Sequence, residues 1–246
     1  MSGGAATYRE SPPPPGLEPW VACAWELRAG PDGHVQRVLP DGCIDVLWSE
    51  AGGLRAVGPN STAFLAHMAP GAMAVGVRLR PGGAPPLFGV AGEALRDASP
   101  HAVELWGEEA RRLEDHVARQ ADPAGRAAAM LAWLARRART APSPDPLVGR
   151  VAGRLAADPR ATVTDMADEA GVGARHLRRR VVREVGYGPR RLARVLRLQR
   201  TVALAAAEPR AGLSEIAFRA GYADQAHLSH ECRDLAGVPP SALLTR

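Results

Sequence analysis

The side chains best equipped for chemistry are crowded into one stretch. Between Arg175 and Arg200 the chain carries ten arginines and a single acid, Glu184. Arginine is a permanent cation with a planar fork of donors, so such a block suits phosphate oxygens or, in the right register, the O6 and N7 acceptors of guanine. A solvated helix face is the plainer reading of a charge run, but the density here argues against it. The chain has no lysine, so all 31 basic residues are arginine, against 26 acids and a formal net charge of +5. Divided after Thr140, the first part holds 14 arginines and 15 acids, and the second 17 arginines and 11 acids. The positive charge therefore belongs to the second part.

A second polar set, Arg37, Asp41, Cys43, Asp45, His67, Arg78 and Arg80, is dispersed through the first part. Asp41-Gly42 reads as a tight turn. Arg78 and Arg80 alternate along an extended segment, where an internal ion pair with Asp45 is favoured over an anionic ligand. Cys43 could sense oxidants or alkylating agents, but a buried, inert thiol is the expectation. Cys23, Cys43 and Cys232 are odd in number and far apart, which argues against a disulfide framework or a zinc knot. His34, His67 and His101 are single and scattered, so no metal and no cofactor is expected. With no Gly-x-Ser-x-Gly, phosphate loop or Cys/His signature, the chain is not expected to be an enzyme.

The elements that must position these residues follow from pattern and punctuation. Residues 1–16 end in Pro12 to Pro15 and read as a flexible, proline-rich arm. Residues 17–99 hold short β-type segments (Trp20 to Leu27, Val35 to Leu39, Ile44 to Trp48, Leu54 to Val57, Ala74 to Leu79) separated by turn signals, which predicts a small β barrel or sandwich of cupin-like form. Residues 100–140 change to helical spacing and predict two helices, the second starting at Asp122-Pro123, that either dimerise or pack on the domain. A proline-studded linker, 141–146, precedes an all-helical region, 147–246. The fold class is thus α+β in two domains. No apolar run is long enough to span a membrane, and the chain does not open on a signal peptide, so a cytoplasmic, nucleoid-associated protein is expected.

Within the second region two stretches superpose at an offset of fifty: Thr164-Asp-Met-Ala-Asp-Glu-Ala-Gly171 and Ser214-Glu-Ile-Ala-Phe-Arg-Ala-Gly221. Each opens on a hydroxyl and an acid, expected to cap a helix, and closes on a glycine. Past the turn the offset becomes fifty-one, matching Leu177 to Leu228, Gly186 to Gly237 and Pro189 to Pro240. Helix, glycine turn and helix, twice, is a tandem helix-turn-helix pattern. The joining helix, Pro189 to about Ala206, spans roughly 27 Å, against about 34 Å between successive major-groove segments on one DNA face.

From about Leu147 to Arg246 the chain resembles the DNA-binding domain of AraC/XylS-family transcriptional regulators, most specifically through Glu215-Ile-Ala-Phe-Arg-Ala-Gly-Tyr-Ala-Asp-Gln-Ala-His-Leu-Ser-His230 and Ala236-Gly-Val-Pro-Pro240. The first half resembles the β-rich domain of a subset of these regulators through Arg37-Val-Leu-Pro-Asp-Gly-Cys-Ile-Asp45, Gly76-Val-Arg-Leu-Arg-Pro-Gly-Gly83 and Leu105-Trp-Gly107. The resemblance implies double-stranded DNA as partner and a first recognition helix over about Ala174 to Val185. Helical spacing turns Ala174, Arg175, Arg178 and Arg179 outward, with Arg175 and Arg179 as base readers and Arg178 and Arg180 as phosphate clamps. The second recognition helix, about Asp224 to Leu235, offers Asp224, Gln225, His227, Ser229, His230 and Arg233. It departs from the family, which usually has an arginine near His230, and it carries Glu231 and Asp234. The first motif should therefore supply most affinity and the second mainly register. Arg37, Cys43, Asp45, Arg78 and Arg80 form the candidate effector pocket. A small-molecule effector, a homodimer and contact with RNA polymerase are left open, and no membrane partner is expected. The rival readings are a DNA-repair alkyltransferase with Cys43 as acceptor and a cupin-type enzyme; both lack their motifs.

Overall fold

The computed structural model describes residues 6–244. The first half holds strands β1 (Thr7–Ser11), β2 (Val21–Arg28), β3 (His34–Val38), β4 (Ile44–Ser49), β5 (Gly53–Val57), β6 (Phe64–Met68) and β7 (Met73–Leu79). Five pair antiparallel in the order β1-β2-β7-β4-β5, while β3 and β6 pair only with each other. The strands do not close into a barrel. They form an open arrangement of a five-stranded sheet and a two-stranded ribbon, so the barrel alternative is corrected.

Alternation in β4 shows why the sheet has two distinct faces. Ile44, Val46 and Trp48 are buried in the main core, and the residues between them, Asp45, Leu47 and Ser49, point the other way. Val75, Val77 and Leu79 of β7 join the same core. Helices α1 (Ala84–Phe88), α2 (Gly92–Leu95), α3 (Ala102–Ala118) and α4 (Pro123–Ala138) follow. Leu87, Leu113, Met130 and Trp133 from α1, α3 and α4 cover the core face of the sheet. The opposite face carries Glu10, Trp25, Asp45 and Arg78 and looks toward the ribbon.

Two strands escaped the sequence pattern for a common reason. β1 falls within residues 1–16, expected to be a free arm; residues 1–5 lie outside the described part, but Thr7–Ser11 pairs along its length with β2. All five of its residues are exposed, so it has no buried stripe to reveal it, and the backbone ladder supplies the order. β6 is likewise largely exposed.

The second half is helical: α5 (Pro146–Ala157), α6 (Val163–Glu169), α7 (Ala174–Val185), α8 (Pro189–Ala207), α9 (Leu213–Ala220), α10 (Gln225–Ala236) and α11 (Pro240–Leu243). Thr162, not Thr164, caps α6, its hydroxyl accepting from the Asp165 amide at 3.1 Å while Asp165 returns the contact. Gly212, not Ser214, occupies the N-cap of α9. The repeated hydroxyls therefore lie inside the first helical turn rather than at the cap. Ala167 and Ala217 are buried at the two helix-helix contacts, as close approach requires.

Candidate nucleic-acid interface and the cavity behind it

α6 with α7, and α9 with α10, are the two helix-turn-helix units, and α8 joins them. In α7, Leu177, Val181 and Val185 are buried, which fixes the opposite face outward. Ala174, Arg175, Arg178 and Arg179 are all exposed, near the end of the helix where a helix-turn-helix reads base edges. Arg179 lies 3.2 Å from His176 Nδ1, and Arg178 runs alongside Gly188 in the turn to α8.

Arg180 is different. Its Nε and Nη2 donate to the two oxygens of Asp145 at 2.6 and 2.5 Å, and Asp145 also caps α5 by accepting from Leu147 and Val148. Burial acts to raise the Asp145 carboxyl, but Arg180 and the two amides outweigh it and hold it below the ordinary carboxylate range. The phosphate-clamp role expected of Arg180 is therefore corrected: its fork ties the recognition helix to α5.

Several other arginines of the block are also spoken for. Arg194 bridges Glu231 at 3.1 Å and Asp234 at 2.7 Å, Arg197 stacks 5.3 Å from the Tyr222 ring, and Arg200 donates to the Arg219 carbonyl at 3.1 Å. Arg191 donates to the Ser61 carbonyl. α8 uses its cations to bind the second motif and the first domain. Arg190, and Arg183 beside Glu184, stay exposed as well, but the outward cations outside ion pairs cluster in the first half of α7.

The second recognition helix is sharpened in the same way. Asp224 accepts from the His227 amide at 2.7 Å as the N-cap of α10, so its role is structural and not base reading. Glu231 is buried and Asp234 is paired, both against Arg194. The acids that made this helix look negative are thus turned inward or neutralised. Gln225, His230 and Arg233 are exposed, although the Gln225 Oε1 accepts from the Ser214 hydroxyl at 3.0 Å. His227 packs edge-on against Tyr222 at 5.1 Å, and Ser229 is half-buried.

Residues 166–246 match a helix-turn-helix domain family. The C-terminal domain is an AraC/XylS-type helix-turn-helix domain. Residues 9–100 match a domain family of unknown function, DUF6597. No curated protein matches the chain. Among solved structures, the fold is similar to ToxT from Vibrio cholerae O395 bound to (E)-4-(8-methylnaphthalen-1-yl)but-3-enoic acid, at 10% identity and a TM-score of 0.50, over 99% of this chain and 98% of that one. Unsaturated fatty acid bound wild-type ToxT from Vibrio cholerae strain SCE256 matches at 11% identity and a TM-score of 0.47, over 99% and 96%.

Behind this AraC-type domain, the space between sheet and ribbon is a cavity of about 1440 Å³, wider than the roughly 300 to 1,000 Å³ of ordinary ligand pockets. Arg37, Asp45 and Arg78 of the expected pocket line it; Cys43 and Arg80 do not. Arg80 instead leaves β7 and donates to the Glu18 carbonyl at 2.9 Å. Cys43 lies in the turn where Asp41 accepts from its amide at 2.9 Å, and burial pushes its thiol well above the ordinary range, the opposite of an activated acceptor. Among the described residues no cluster of His, Cys, Asp and Glu could hold a metal ion, and no helix is long and apolar enough to cross a membrane.

At the centre Arg78 lies 3.3 Å from Asp41, 3.4 Å from Asp45 and 3.4 Å from Glu10. The Arg78–Asp45 ion pair matches the favoured sequence reading. Trp25 Nε1 donates to Asp45 at 3.1 Å, and its indole lies across Gly76, where any Cβ would collide with the ring. Burial pushes the Asp45 carboxyl up to about 7, Arg78 opposing and Asp41 adding to the rise.

The cavity wall and the DNA-binding domain touch directly. Arg37 Nη1 donates to the Ala236 carbonyl at 2.8 Å, and the Ala63 amide to the Leu235 carbonyl at 2.7 Å, both at the C-terminal end of α10. Gln199 of α8 donates to the Pro40 carbonyl at 2.8 Å. At the end of α7, Arg96 donates to the Gly186 carbonyl at 3.4 Å, and Gly92 packs so closely that a Cβ there would sit 2.6 Å from the Glu184 carbonyl oxygen. The first domain holds both recognition helices by their C-terminal ends. These contacts between residues up to 199 positions apart have no local sequence signal.

Proposed function

We propose that the protein is a sequence-specific transcriptional regulator that lays α7 and α10 into adjacent major-groove segments, with a small effector bound in the cavity of its first domain. The observation that carries the DNA half is the exposed set Arg175, Arg178 and Arg179 at the start of α7, outside the ion pairs, carbonyl bonds and ring contact that engage six of the other seven arginines of the block. Arg175 and Arg179 read bases, Arg178 clamps a phosphate, and α10 sets register through Gln225, His230 and Arg233. α8 supports this spacing, since its 19 residues reach roughly 28 Å.

The effector half rests on the cavity and on its wall. A ligand that shifts the ribbon acts on Arg37 and on the loop at Ala63, and both are bonded to the end of α10. A ToxT structure of related fold is bound to an organic acid, which fits a ligand-holding first domain without naming the ligand here. DNA selected from a random pool by the full chain, followed by footprinting, tests the reading. Protection over about two helical turns is expected; binding indifferent to sequence would overturn it.

A further inference from the structure

We infer that the cavity between the sheet and the β3–β6 ribbon takes a cationic ligand with an apolar body, an amine rather than a carboxylic acid. This deepens the effector reading above and rests on it. The charges lining the cavity decide the sign. Two cations, Arg37 and Arg78, face five carboxylates, Glu10, Asp41, Asp45, Glu50 and Asp97, the last also 3.9 Å from Arg96, with His67 and Tyr8 the remaining titratable side chains of the lining. Neither cation is free for an anion: Arg37 is bonded to the Ala236 carbonyl, and Arg78 has three carboxylates within 3.4 Å.

The carboxylates exceed what Arg78 can satisfy. Asp45 Oδ1 is buried and completes no hydrogen bond, nor does Arg78 Nε, so the contact is an imperfect pairing and not a closed bridge. A buried acceptor without a donor is costly, and an ammonium N–H supplies both the donor and the missing charge. Beside it stand Tyr8 and Trp25, ring centroids 6.2 Å apart, whose faces attract a cation. Leu27, Leu47, Phe64 and Met68 provide the apolar walls for the rest of the molecule. An acid placed there would meet the surplus carboxylates and lose on desolvation as well as repulsion.

Calorimetric titration of the full-length protein with 4-phenylbutylamine, 4-phenylbutanol and 4-phenylbutyrate separates the possibilities, because the three share one apolar body. The amine should bind at least about tenfold more tightly than the acid, on the scale of one charge-assisted hydrogen bond. Asp45→Asn should weaken the amine about tenfold and leave the alcohol unchanged, whereas Arg78→Gln, which removes the competing cation, should strengthen it. Glu10→Gln, on the exposed edge strand, should weaken the amine without threatening the fold. Equal or tighter binding of the acid, or indifference of the amine to Asp45→Asn in a protein that still melts cooperatively, would overturn the cationic assignment while leaving an effector cavity in place. If none of the three binds, the assignment and the effector reading fall together.

Discussion

Arg37 lines the cavity of the first domain, and its Nη1 donates across 2.8 Å to the carbonyl of Ala236, the last residue of the second recognition helix. A cation at a helix C-terminus meets carbonyls that have no partner within the helix, so the contact is favourable twice over. It makes one side chain part of both a ligand-facing wall and a DNA-reading element.

Arg37→Ala should loosen that joint without unfolding either domain. A loss of about 1 kcal/mol in stability is expected for a partly buried bond to a charged donor. Hydrogen exchange should quicken at the end of α10 and in α11 and stay unchanged in α7. Uniform exchange across both recognition helices would show that Arg37 is not a tie.

DNA affinity should follow the exposed arginines and not the arginine count. Arg175→Ala or Arg179→Ala is expected to cost about 1 to 3 kcal/mol of binding to the selected site and to relax specificity there. Arg178→Ala should weaken all sequences alike and lower the salt slope by about 1. Gln225→Ala should cost less than either reader; a gel-shift titration in which it costs more would reverse the division of labour between α7 and α10.

Arg180→Ala should behave unlike its neighbours. Its fork is committed to Asp145, so the variant should lose about 1 kcal/mol of stability, the pair being partly exposed, while the folded fraction keeps its DNA affinity and salt slope. A reduced salt slope in this variant would return Arg180 to the phosphate contacts.

The contrast between Arg179 and Arg180 marks where sequence stops being sufficient. The tandem motif, the glycine turns and the length of α8 were legible because they rest on local spacing. Helical periodicity also turned Arg175, Arg178 and Arg179 outward correctly. The fate of Arg180 depends on Asp145, 35 residues away, and that of Glu231 and Asp234 on Arg194, 37 and 40 residues away in α8. Charge alone made α10 look acidic, whereas Glu231 is buried and Arg194 pairs with both it and the exposed Asp234. In the first domain the buried alternation of β4 announced itself. β1 and β6, held by backbone bonds with little burial, did not, and without them neither the cavity nor the Arg37 contact could be placed.

The Arg194 cluster offers a test of how much α10 depends on its buried carboxylate. Glu231 is 4% exposed, so Arg194→Leu leaves a charge with no strong partner and should cost on the order of 2 to 3 kcal/mol, at the low end for such a loss because Arg194 itself is partly exposed. Adding Glu231→Leu should recover much of it, since the stranded charge is then gone. A double variant no more stable than Arg194→Leu would point to packing and not charge.

Asp45 should leave its own signature in the pH dependence of stability. Its carboxyl is raised from an ordinary value of 3.8 to about 7, burial being the main cause, with Arg78 lowering it and Asp41 raising it. Below the ordinary value both folded and unfolded chains hold the proton, and Asp45 has no effect. Between about pH 4 and 7 the unfolded chain has released the proton while the folded one keeps it, so stability falls as pH rises; above about 7 the loss is complete. Glu184, also raised by burial, slopes the same way, and Asp145, Glu208 and Asp234, held low by their arginine partners, slope the other way, so the raw curve mixes all five. The difference between wild type and Asp45→Asn isolates one of them. In denaturant titrations from pH 4 to pH 8, the variant should gain on the wild type steadily through that window and level off above it. A difference that stays flat with pH would mean that folding leaves the Asp45 carboxyl at its ordinary value, Arg78 offsetting the whole effect of burial.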